Sequence, residues 1–438
     1  MLETQGFQVR HFRIGAGWLV AFAAVVLSAC GGGGSSSGNA NLRLVNATLS
    51  HASLSLLANS TAVVTATASD TASAYASVPS GGPSLQVNDA TSGAVLATIA
   101  PTLGKDTHSA LIAYESGGSV RLAVIAEDTT APSAGTAILR VFDAATDAGA
   151  IDVYVTDPAV DITMLASPTF SLAASTSVQP SPFLSFGPGT FRIRVTGSGN
   201  PSDLRLDIAS VVLASQEIAT VVLTPTAGGT LANGAVLQQQ GSYTATRNSS
   251  ARVRLAAAVS GNATVTASAG ATTIGSGVIA PSIGAYVNVP AGSAINISVN
   301  GASVAAPAAT LAAGSDATLL VYGNAASATA TLIADDNHLP VSASSFKLRL
   351  LNGVTGAATP LSLAVNFAVT ASNVAPGTAS SYALVTSTTP SHLDVTSPAS
   401  LNPIYSTNPD PNLPGNAVFT LFMLGDAAAP VHLLRRDR

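Results

Sequence analysis

An apolar–arginine–apolar triplet opens each of four successive segments of the chain, and it restricts the fold more than any other feature. The triplets are Leu42-Arg43-Leu44, Leu139-Arg140-Val141, Val253-Arg254-Leu255 and Leu348-Arg349-Leu350. Their arginines lie 97, 114 and 95 residues apart. Each triplet is followed by an alternating strand, at residues 54–56, 151–153, 265–267 and 361–363, and later by an apolar strand, at 109–114, 218–223, 317–322 and 417–424. Landmarks that repeat in one order indicate four copies of a single unit.

The composition favours β-structure in these units. Only 9% of the residues are charged, against about a quarter in ordinary soluble domains. Solvated helix faces usually carry Glu and Lys, whereas short alternating runs broken by Gly, Pro and Asn predict strands. A unit of this length exceeds the period of solenoids, about 20–50 residues, and has the size of an immunoglobulin-like sandwich. We therefore expect an all-β chain of about four tandem immunoglobulin-like β-sandwich repeats, stacked as a rod.

The N-terminus has the features of a lipoprotein signal peptide. Arg10, His11 and Arg13 precede an apolar run at 14–29, which is too short to span a bilayer core of about 30 Å. The run ends in Leu27-Ser28-Ala29-Cys30, which resembles the bacterial lipobox. The resemblance implies acylation of Cys30, and Gly31 at the next position favours the outer membrane. Cys30 is the only cysteine of the chain, so the mature protein would contain no disulfide.

These patterns divide the chain into six segments. We expect a signal peptide at 1–29, a lipidated Cys30 with a Gly/Ser tether at 30–41, and sandwich repeats at 42–136, 137–246, 247–344 and 345–438.

The second repeat resembles a known family. It opens with Leu139-Arg140-Val141-Phe142-Asp143-Ala144 and continues with Ile151-Asp152-Val153-Tyr154-Val155. This pair of strands resembles the opening of the bacterial domain-of-unknown-function family 4397, whose members close with an acidic pair. Repeat 2 is the best match, although it carries Gln238-Gln239-Gln240 in place of the acidic pair. The resemblance implies exported or lipid-anchored β-sandwich repeats and implies no activity.

Charged residues at repeated positions are the candidate site residues. Glu127 and Asp128 in repeat 1, and Asp335 and Asp336 in repeat 3, follow the final strand near a domain junction. Their carboxylates are weak candidates for calcium ligands, because calcium prefers six to eight oxygens. Solvated turn residues are the preferred interpretation. Asp152 alternates with apolar neighbours, which predicts a place on the solvent face of its strand.

The repeated arginine has two interpretations. It can be a ligand contact used four times, or a charge on the outer face that protects a sheet edge from pairing with another chain. The second interpretation needs no ligand and is preferred.

The sequence predicts neither catalysis nor a cofactor. The five histidines after the predicted signal peptide are far apart and show no metal-ligand spacing. A net charge of −5 gives no basic surface for nucleic acid. The only tryptophan, Trp18, lies in the predicted signal peptide, so no tryptophan platform for sugars is expected.

These observations predict a non-catalytic, lipid-anchored protein of the cell envelope that acts in scaffolding or adhesion. Its partners would be the membrane, through the anchor, and a glycan or protein. The alternative is a carbohydrate- or small-molecule-binding periplasmic module. The predicted location is the outer membrane, with the body on either the periplasmic or the outer side.

Overall fold

The computed structural model describes residues 38–175, 177–356 and 360–438. The predicted signal peptide, Cys30 and most of the predicted tether lie outside these residues, so the predictions for them stay predictions. Within the described part, no helix is long and apolar enough to cross a membrane. The helical structure in that part consists of three short 3₁₀ turns, at Thr146–Ala148, Ile162–Met164 and Ala325–Ser327.

The first of four β-sandwiches, sandwich 1, is formed by nine described strands. They are β1 (Asn39–Ala47), β2 (Ser53–Ala58), β3 (Thr61–Ala68), β4 (Thr71–Ala72), β5 (Ala76–Pro79), β6 (Leu85–Asp89), β7 (Val95–Ile99), β8 (His108–Ser116) and β9 (Ser119–Ala126). One sheet has the order β4-β1-β8-β9, with β5 also paired to β1, and the other has the order β3-β2-β6-β7. We call the sheet that contains the arginine strand the first sheet and its partner the second sheet.

Sandwich 2 also has nine strands within the described residues. They are β10 (Ala137–Asp143), β11 (Ile151–Thr156), β12 (Phe170–Leu172), β13 (Leu184–Phe186), β14 (Gly189–Gly197), β15 (Asn200–Leu213), β16 (Ile218–Pro225), β17 (Ala232–Gln238) and β18 (Tyr243–Thr246). Its first sheet is β13-β10-β16-β17-β18, and its second sheet is β12-β11-β14-β15.

Sandwich 3 repeats the arrangement of sandwich 1. Its described strands are β19 (Ser250–Val259), β20 (Thr264–Ala269), β21 (Thr272–Ile279), β22 (Ser282–Ile283), β23 (Val287–Pro290), β24 (Ile295–Val299), β25 (Ala302–Val304), β26 (Asp316–Gly323) and β27 (Thr329–Asp335). The first sheet is β22-β19-β26-β27, with β23 also on β19, and the second sheet is β21-β20-β24-β25.

Sandwich 4 has the same connectivity. Its described strands are β28 (Ser345–Thr355), β29 (Leu361–Val365), β30 (Ala368–Val374), β31 (Thr378–Ala379), β32 (Ala383–Thr386), β33 (Leu393–Thr396), β34 (Tyr405–Ser406), β35 (Ala417–Asp426) and β36 (Val431–Arg436). The first sheet is β31-β28-β35-β36, with β32 also on β28, and the second sheet is β30-β29-β33-β34. The predicted all-β class and tandem sandwiches are therefore confirmed, while the exact domain limits stay a prediction.

The arginine strand lies inside each first sheet. It pairs in parallel with a later apolar strand, as β1 with β8, β10 with β16, β19 with β26 and β28 with β35, and with antiparallel strands on its other side. The interpretation of the arginine as protection for a sheet edge is therefore wrong. A central strand has no free N–H and C=O groups to protect.

Each sandwich buries a separate aliphatic core between its two sheets. In sandwich 1, for example, Leu42 and Leu44 of the first sheet pack against Leu54 and Leu56 of the second. The remaining cores have the same aliphatic character. The alternation of β2, with leucines inside and serines partly exposed, explains why these short segments form strands.

Two further apolar clusters lie between sandwiches. One contains Val45, Ile112 and Phe142 and joins the first sheets of sandwiches 1 and 2. The other contains Leu320 and Phe422 and joins the first sheets of sandwiches 3 and 4. The expected rod is therefore wrong, because the sandwiches pack in pairs through sheet faces. Residues 38–438 form one compact unit.

A buried polar residue lies three positions after the repeated arginine in three sandwiches. Asn46 and Asn352 use their side-chain amides to donate hydrogen bonds to the carbonyls of Thr67 and Val374, at 3.1 and 2.9 Å. Asp143 has the same place in sandwich 2 and is also buried. An ionised carboxylate cannot donate such a bond. Burial raises the pKa of Asp143 to about 7, although the N–H of Ala145 and the charge of Arg205 oppose the rise.

We predict that Asp143→Asn stabilises the protein above neutral pH. The folded-state pKa lies above the ordinary value of 3.8, so the unfolded chain ionises first and wild-type stability falls as pH rises from about 4 to about 7. The variant should gain about 2–4 kcal/mol at pH 8 and almost nothing at pH 4. Denaturant unfolding across this range measures the difference, with exposed Asp157→Asn as the control. Equal gains at both pH values would contradict the assignment.

Candidate functional site

Two repeated arginines lie buried between sandwiches 3 and 4. Arg254 Nε donates to Thr318 Oγ1 at 2.9 Å, and Arg349 Nε donates to Thr420 Oγ1 at 3.1 Å. Each threonine lies beside its arginine on the paired parallel strand. This register holds both guanidinium groups against the face of the first sheet that points away from the sandwich core.

The two arginines form crossed ion pairs with acidic residues of the opposite sandwich. Arg254 pairs with Asp437 of sandwich 4, and Arg349 pairs with Asp335 of sandwich 3. The side chains of both aspartates are fully buried. Burial works against the charged form of Asp335, but Arg349 and Arg254 hold its pKa below the ordinary value. Each sandwich thus supplies the counter-charge that the other one needs.

Tyrosine rings cover this arginine–carboxylate cluster. The Arg254 and Arg349 guanidinium carbons lie 4.6 Å from the ring centroids of Tyr286 and Tyr382, respectively. The hydroxyl of Tyr286 also donates to Asp335 Oδ2 at 2.5 Å. The cation–π contacts and the hydroxyl bond add to the ion pairs in a place that is shielded from water.

The first pair of sandwiches has a related but unequal cluster. Glu127 accepts two hydrogen bonds from Arg43, one of them from Nε at 2.9 Å, and a third from the hydroxyl of Tyr75 at 2.5 Å. The terminal nitrogens of Arg43 also donate to the carbonyls of Gly241 and Gln238 in sandwich 2, at 2.6 and 2.8 Å. Arg43 therefore joins sandwiches 1 and 2 through a carboxylate of its own sandwich.

Two of the four carboxylates considered as calcium ligands are placed differently from the expectation. Glu127 and Asp335 are buried ion-pair partners of arginine, so their interpretation as solvated turn residues is wrong. Asp128 is exposed and accepts from His108 and Gln240. No group of three or more metal-ligating side chains occurs among the described residues. Arginine side chains bind the carboxylate oxygens of Glu127 and Asp335 that a metal cation would need.

The position predicted for Asp152 from the alternating pattern is also wrong. It is buried rather than on a solvent face, because its carboxylate accepts from Ser171 Oγ and from the N–H of Gly199, both at 2.7 Å. These bonds replace the water that a solvated carboxylate would bind.

Asp437 is one of the site residues that the sequence patterns missed. It follows the last strand of sandwich 4 at the position that Glu127 and Asp335 have in sandwiches 1 and 3. Its distance from the preceding apolar strand was the sequence signal that could have identified it. The similarity is hard to see, because Leu434-Arg435-Arg436 precedes Asp437, whereas an Ile-Ala pair precedes the other two acids.

A cleft of about 1250 Å³ is lined by segments of all four sandwiches. The lining comes from residues 49–51 and 115–121 of sandwich 1, 146–147 and 174–175 of sandwich 2, 336, 338–341 and 343 near the end of sandwich 3, and 347, 381–382, 384 and 416 of sandwich 4. Its volume exceeds that of most small-molecule pockets, about 300–1,000 Å³.

An ion-pair group forms part of the cleft wall. Asp336, one of the calcium candidates, accepts from Lys347 Nζ at 2.5 Å and contacts His338 Nδ1 at 2.6 Å. Burial opposes ionisation of Asp336, but the bonds from His338 and Lys347 hold its pKa well below the ordinary value. His338 Nε2 is buried without a hydrogen-bond partner among the described residues. The cleft thus offers charged and polar groups for binding a ligand.

The loop around His338 is held in place by sandwich 2. Asp147 Oδ1 accepts from the N–H of Leu339 at 2.8 Å. Burial lowers the pKa of His338, but the bond to Asp336 and the charge of Asp147 raise it above the ordinary value overall. The cleft therefore depends on contacts between sandwiches that are far apart in sequence.

We predict that Asp437→Asn destabilises the protein by about 3–5 kcal/mol, because it leaves Arg254 buried without its main counter-charge. Asp207→Asn is the matched control, since Asp207 pairs with Arg192 at 2.5 Å on the surface, where both side chains are about one-third exposed. The control should lose no more than about 1 kcal/mol. Denaturant unfolding of both variants gives the comparison, and equal losses would argue against the buried cluster as a stabilising element.

Comparisons with known proteins identify the family. The family described as "Domain of unknown function (DUF4397)" matches residues 40–154 and 251–359, about half of the chain. These regions cover sandwiches 1 and 3 and the openings of 2 and 4, whereas the motifs placed the best resemblance in repeat 2. No curated protein matches the chain.

One matching crystal structure is described as that of "a putative cell adhesion protein from Bacteroides uniformis". The two chains are 11% identical, the match covers 47% of this chain and 99% of that one, and the TM-score is 0.22. The two regions matched by the family description are sufficient to assign the chain, which belongs to the DUF4397 family.

Proposed function

We propose that the protein is a non-catalytic, lipid-anchored scaffold or adhesion protein of the bacterial cell envelope, attached to the outer membrane through Cys30. The proposal rests on the observation that the first sheets supply the apolar contacts between sandwiches. The first sheets join the sandwiches in two pairs within one compact unit, so the second sheets can be held in fixed positions for a partner.

Exposed apolar residues on the second sheets support a role in binding other molecules. An edge strand of each second sheet carries a large aliphatic side chain that is more than half exposed: Val95 on β7, Val212 on β15, Ile279 on β21 and Val369 on β30. Edge strands also present unpaired backbone groups that can bind an extended segment of another chain. Four such edges on one body suit multivalent attachment.

Acylation of Cys30 is the first test of this proposal. Cells that make the wild-type chain should incorporate labelled palmitate into it, and Cys30→Ser should abolish the label. Ser36→Ala, in the predicted tether, is the matched control and should keep it. Undiminished labelling of Cys30→Ser would refute the anchor. Protease treatment of intact cells then distinguishes an outward body, which is cleaved, from a periplasmic body, which is protected.

Attachment is the second test. Cells with the anchored wild-type chain should bind to a glycan or matrix-protein surface more strongly than cells with Cys30→Ser, because only the anchored chain connects the cell to that surface. Equal attachment of the two strains, with equal amounts of protein, would contradict the adhesion role.

The cleft favours a second candidate, a carbohydrate- or small-molecule-binding module. Its volume and its Asp336–Lys347–His338 wall are the specific observations for this alternative. A glycan and solute array would test this candidate by comparing the wild-type full chain with Leu384→Asp. This variant changes an exposed residue in the cleft. Leu401→Asp, at an exposed residue outside the cleft lining, is the control. Saturable binding that only Leu384→Asp weakens supports this candidate, and equal binding by all three proteins contradicts it.

A further inference from the structure

The repeated arginine of sandwich 2 differs from the other three. Arg43, Arg254 and Arg349 are buried and form ion pairs with carboxylates. Arg140 is only partly buried and forms no ion pair with any residue in 38–175, 177–356 or 360–438. Its Nε donates to Thr220 Oγ1 at 3.0 Å, as the arginines of sandwiches 3 and 4 do to their threonines.

The acid that is missing from the cluster between sandwiches 1 and 2 is replaced by Gln239. In sandwich 4, Asp437 directly follows the residue paired with Phe419 of β35, and in sandwich 2, Gln239 directly follows the residue paired with Ala219 of β16. Gln239 is thus the counterpart of Asp437 but carries no charge. Its side-chain amide exchanges two hydrogen bonds with the backbone of Thr129, at 3.0 and 2.8 Å.

The charge balance of the two clusters is therefore unequal. Between sandwiches 3 and 4, two arginines meet two aspartates. Between sandwiches 1 and 2, Arg43 and Arg140 share a single counterpart, Glu127, whose two oxygens are engaged by Arg43 and Tyr75. A partly desolvated guanidinium without a counter-charge is unfavourable. Burial accordingly lowers the pKa of Arg140, and the charge of Glu127 opposes this only in part.

The surroundings of Arg140 suit a planar anion. Its guanidinium carbon lies 4.4 Å from the ring centroid of Phe183, so an aromatic ring covers one face. Nη2 makes only a long contact of 3.4 Å to the carbonyl of Ala126, at an exposed position. Guanidinium N–H groups that lie in one plane match the two oxygens of a carboxylate.

We propose that Arg140, with Phe183 beside it, binds the carboxylate group of a small acidic ligand, which supplies the second negative charge of the cluster between sandwiches 1 and 2. The ligand class is a free organic acid or a sugar acid, and both present the same carboxylate. Since Arg140 and Phe183 do not line the cleft described above, this site and the cleft can be tested separately.

Thermal unfolding of the full chain in detergent tests the proposal. Sodium acetate replaces sodium chloride at constant ionic strength, sodium glucuronate probes a sugar acid, and glucose is the neutral control. The midpoint of the wild-type protein should rise saturably with at least one of the two carboxylates and not with glucose, because binding to the folded state stabilises it. A response to glucuronate alone would identify a sugar acid, and a response to both would identify the carboxylate group as the main determinant.

Two variants separate the proposed site from general anion effects. Gln239→Glu supplies the second carboxylate from the chain, so it should raise the midpoint in chloride and weaken the response at least about tenfold. Arg140→Gln should weaken the response by a similar factor. Arg121→Gln, which removes an exposed arginine elsewhere, should keep it. An equal response in all four proteins, an equal response to glucose, or no wild-type response to either carboxylate would overturn the proposal.

Discussion

The pairing of buried guanidinium and carboxylate groups between sandwiches is the constraint on which the assembly depends. Arg254 and Arg349 lie in the middle of their first sheets, where water is excluded once the sheets meet. Desolvation of these cations is tolerable only when Asp437 and Asp335 arrive from the opposite sandwiches. Apolar clusters favour close packing in many orientations. The four crossed charges, in contrast, find their partners in only one relative orientation of the two sandwiches. We attribute the register of the third and fourth sandwiches to this requirement.

The strands could be predicted from the sequence because a strand leaves a local signal. Alternation with a period of two identifies the buried face of β2 and its three counterparts, and the repeat multiplies that signal by four. The same alternation correctly assigns Arg140 and its equivalents to the face opposite Leu139 and Val141. It cannot show whether another sandwich covers that opposite face, and this explains the wrong assignment of the arginine to a sheet edge.

The face of the first sheet that another sandwich covers leaves one signal in the sequence. Strand β8 is apolar without interruption from Ala110 to Tyr114, with Leu111 in the sandwich core and Ile112 in the cluster between sandwiches. Continuous apolar runs are typical of strands that are buried on both faces. The cleft left no such signal, because loops from four distant parts of the chain form it. Contacts such as Asp147 with the N–H of Leu339 depend on the tertiary arrangement alone.

The two sheets of sandwiches 1, 3 and 4 thus follow different physical rules. A substitution in a first sheet must preserve both a core face and a face against another sandwich, so Phe142 and Phe422 have almost no freedom to change volume. In sandwiches 1, 3 and 4 the second sheet has its core on one face, and its edge strands tolerate exposed residues such as Val369. Phe367, beside that strand, is 80% exposed and stacks on His392 with 5.0 Å between ring centroids. Substitutions on these second sheets therefore cost the least folding stability. A new contact with a partner can arise there without disturbing the buried charges.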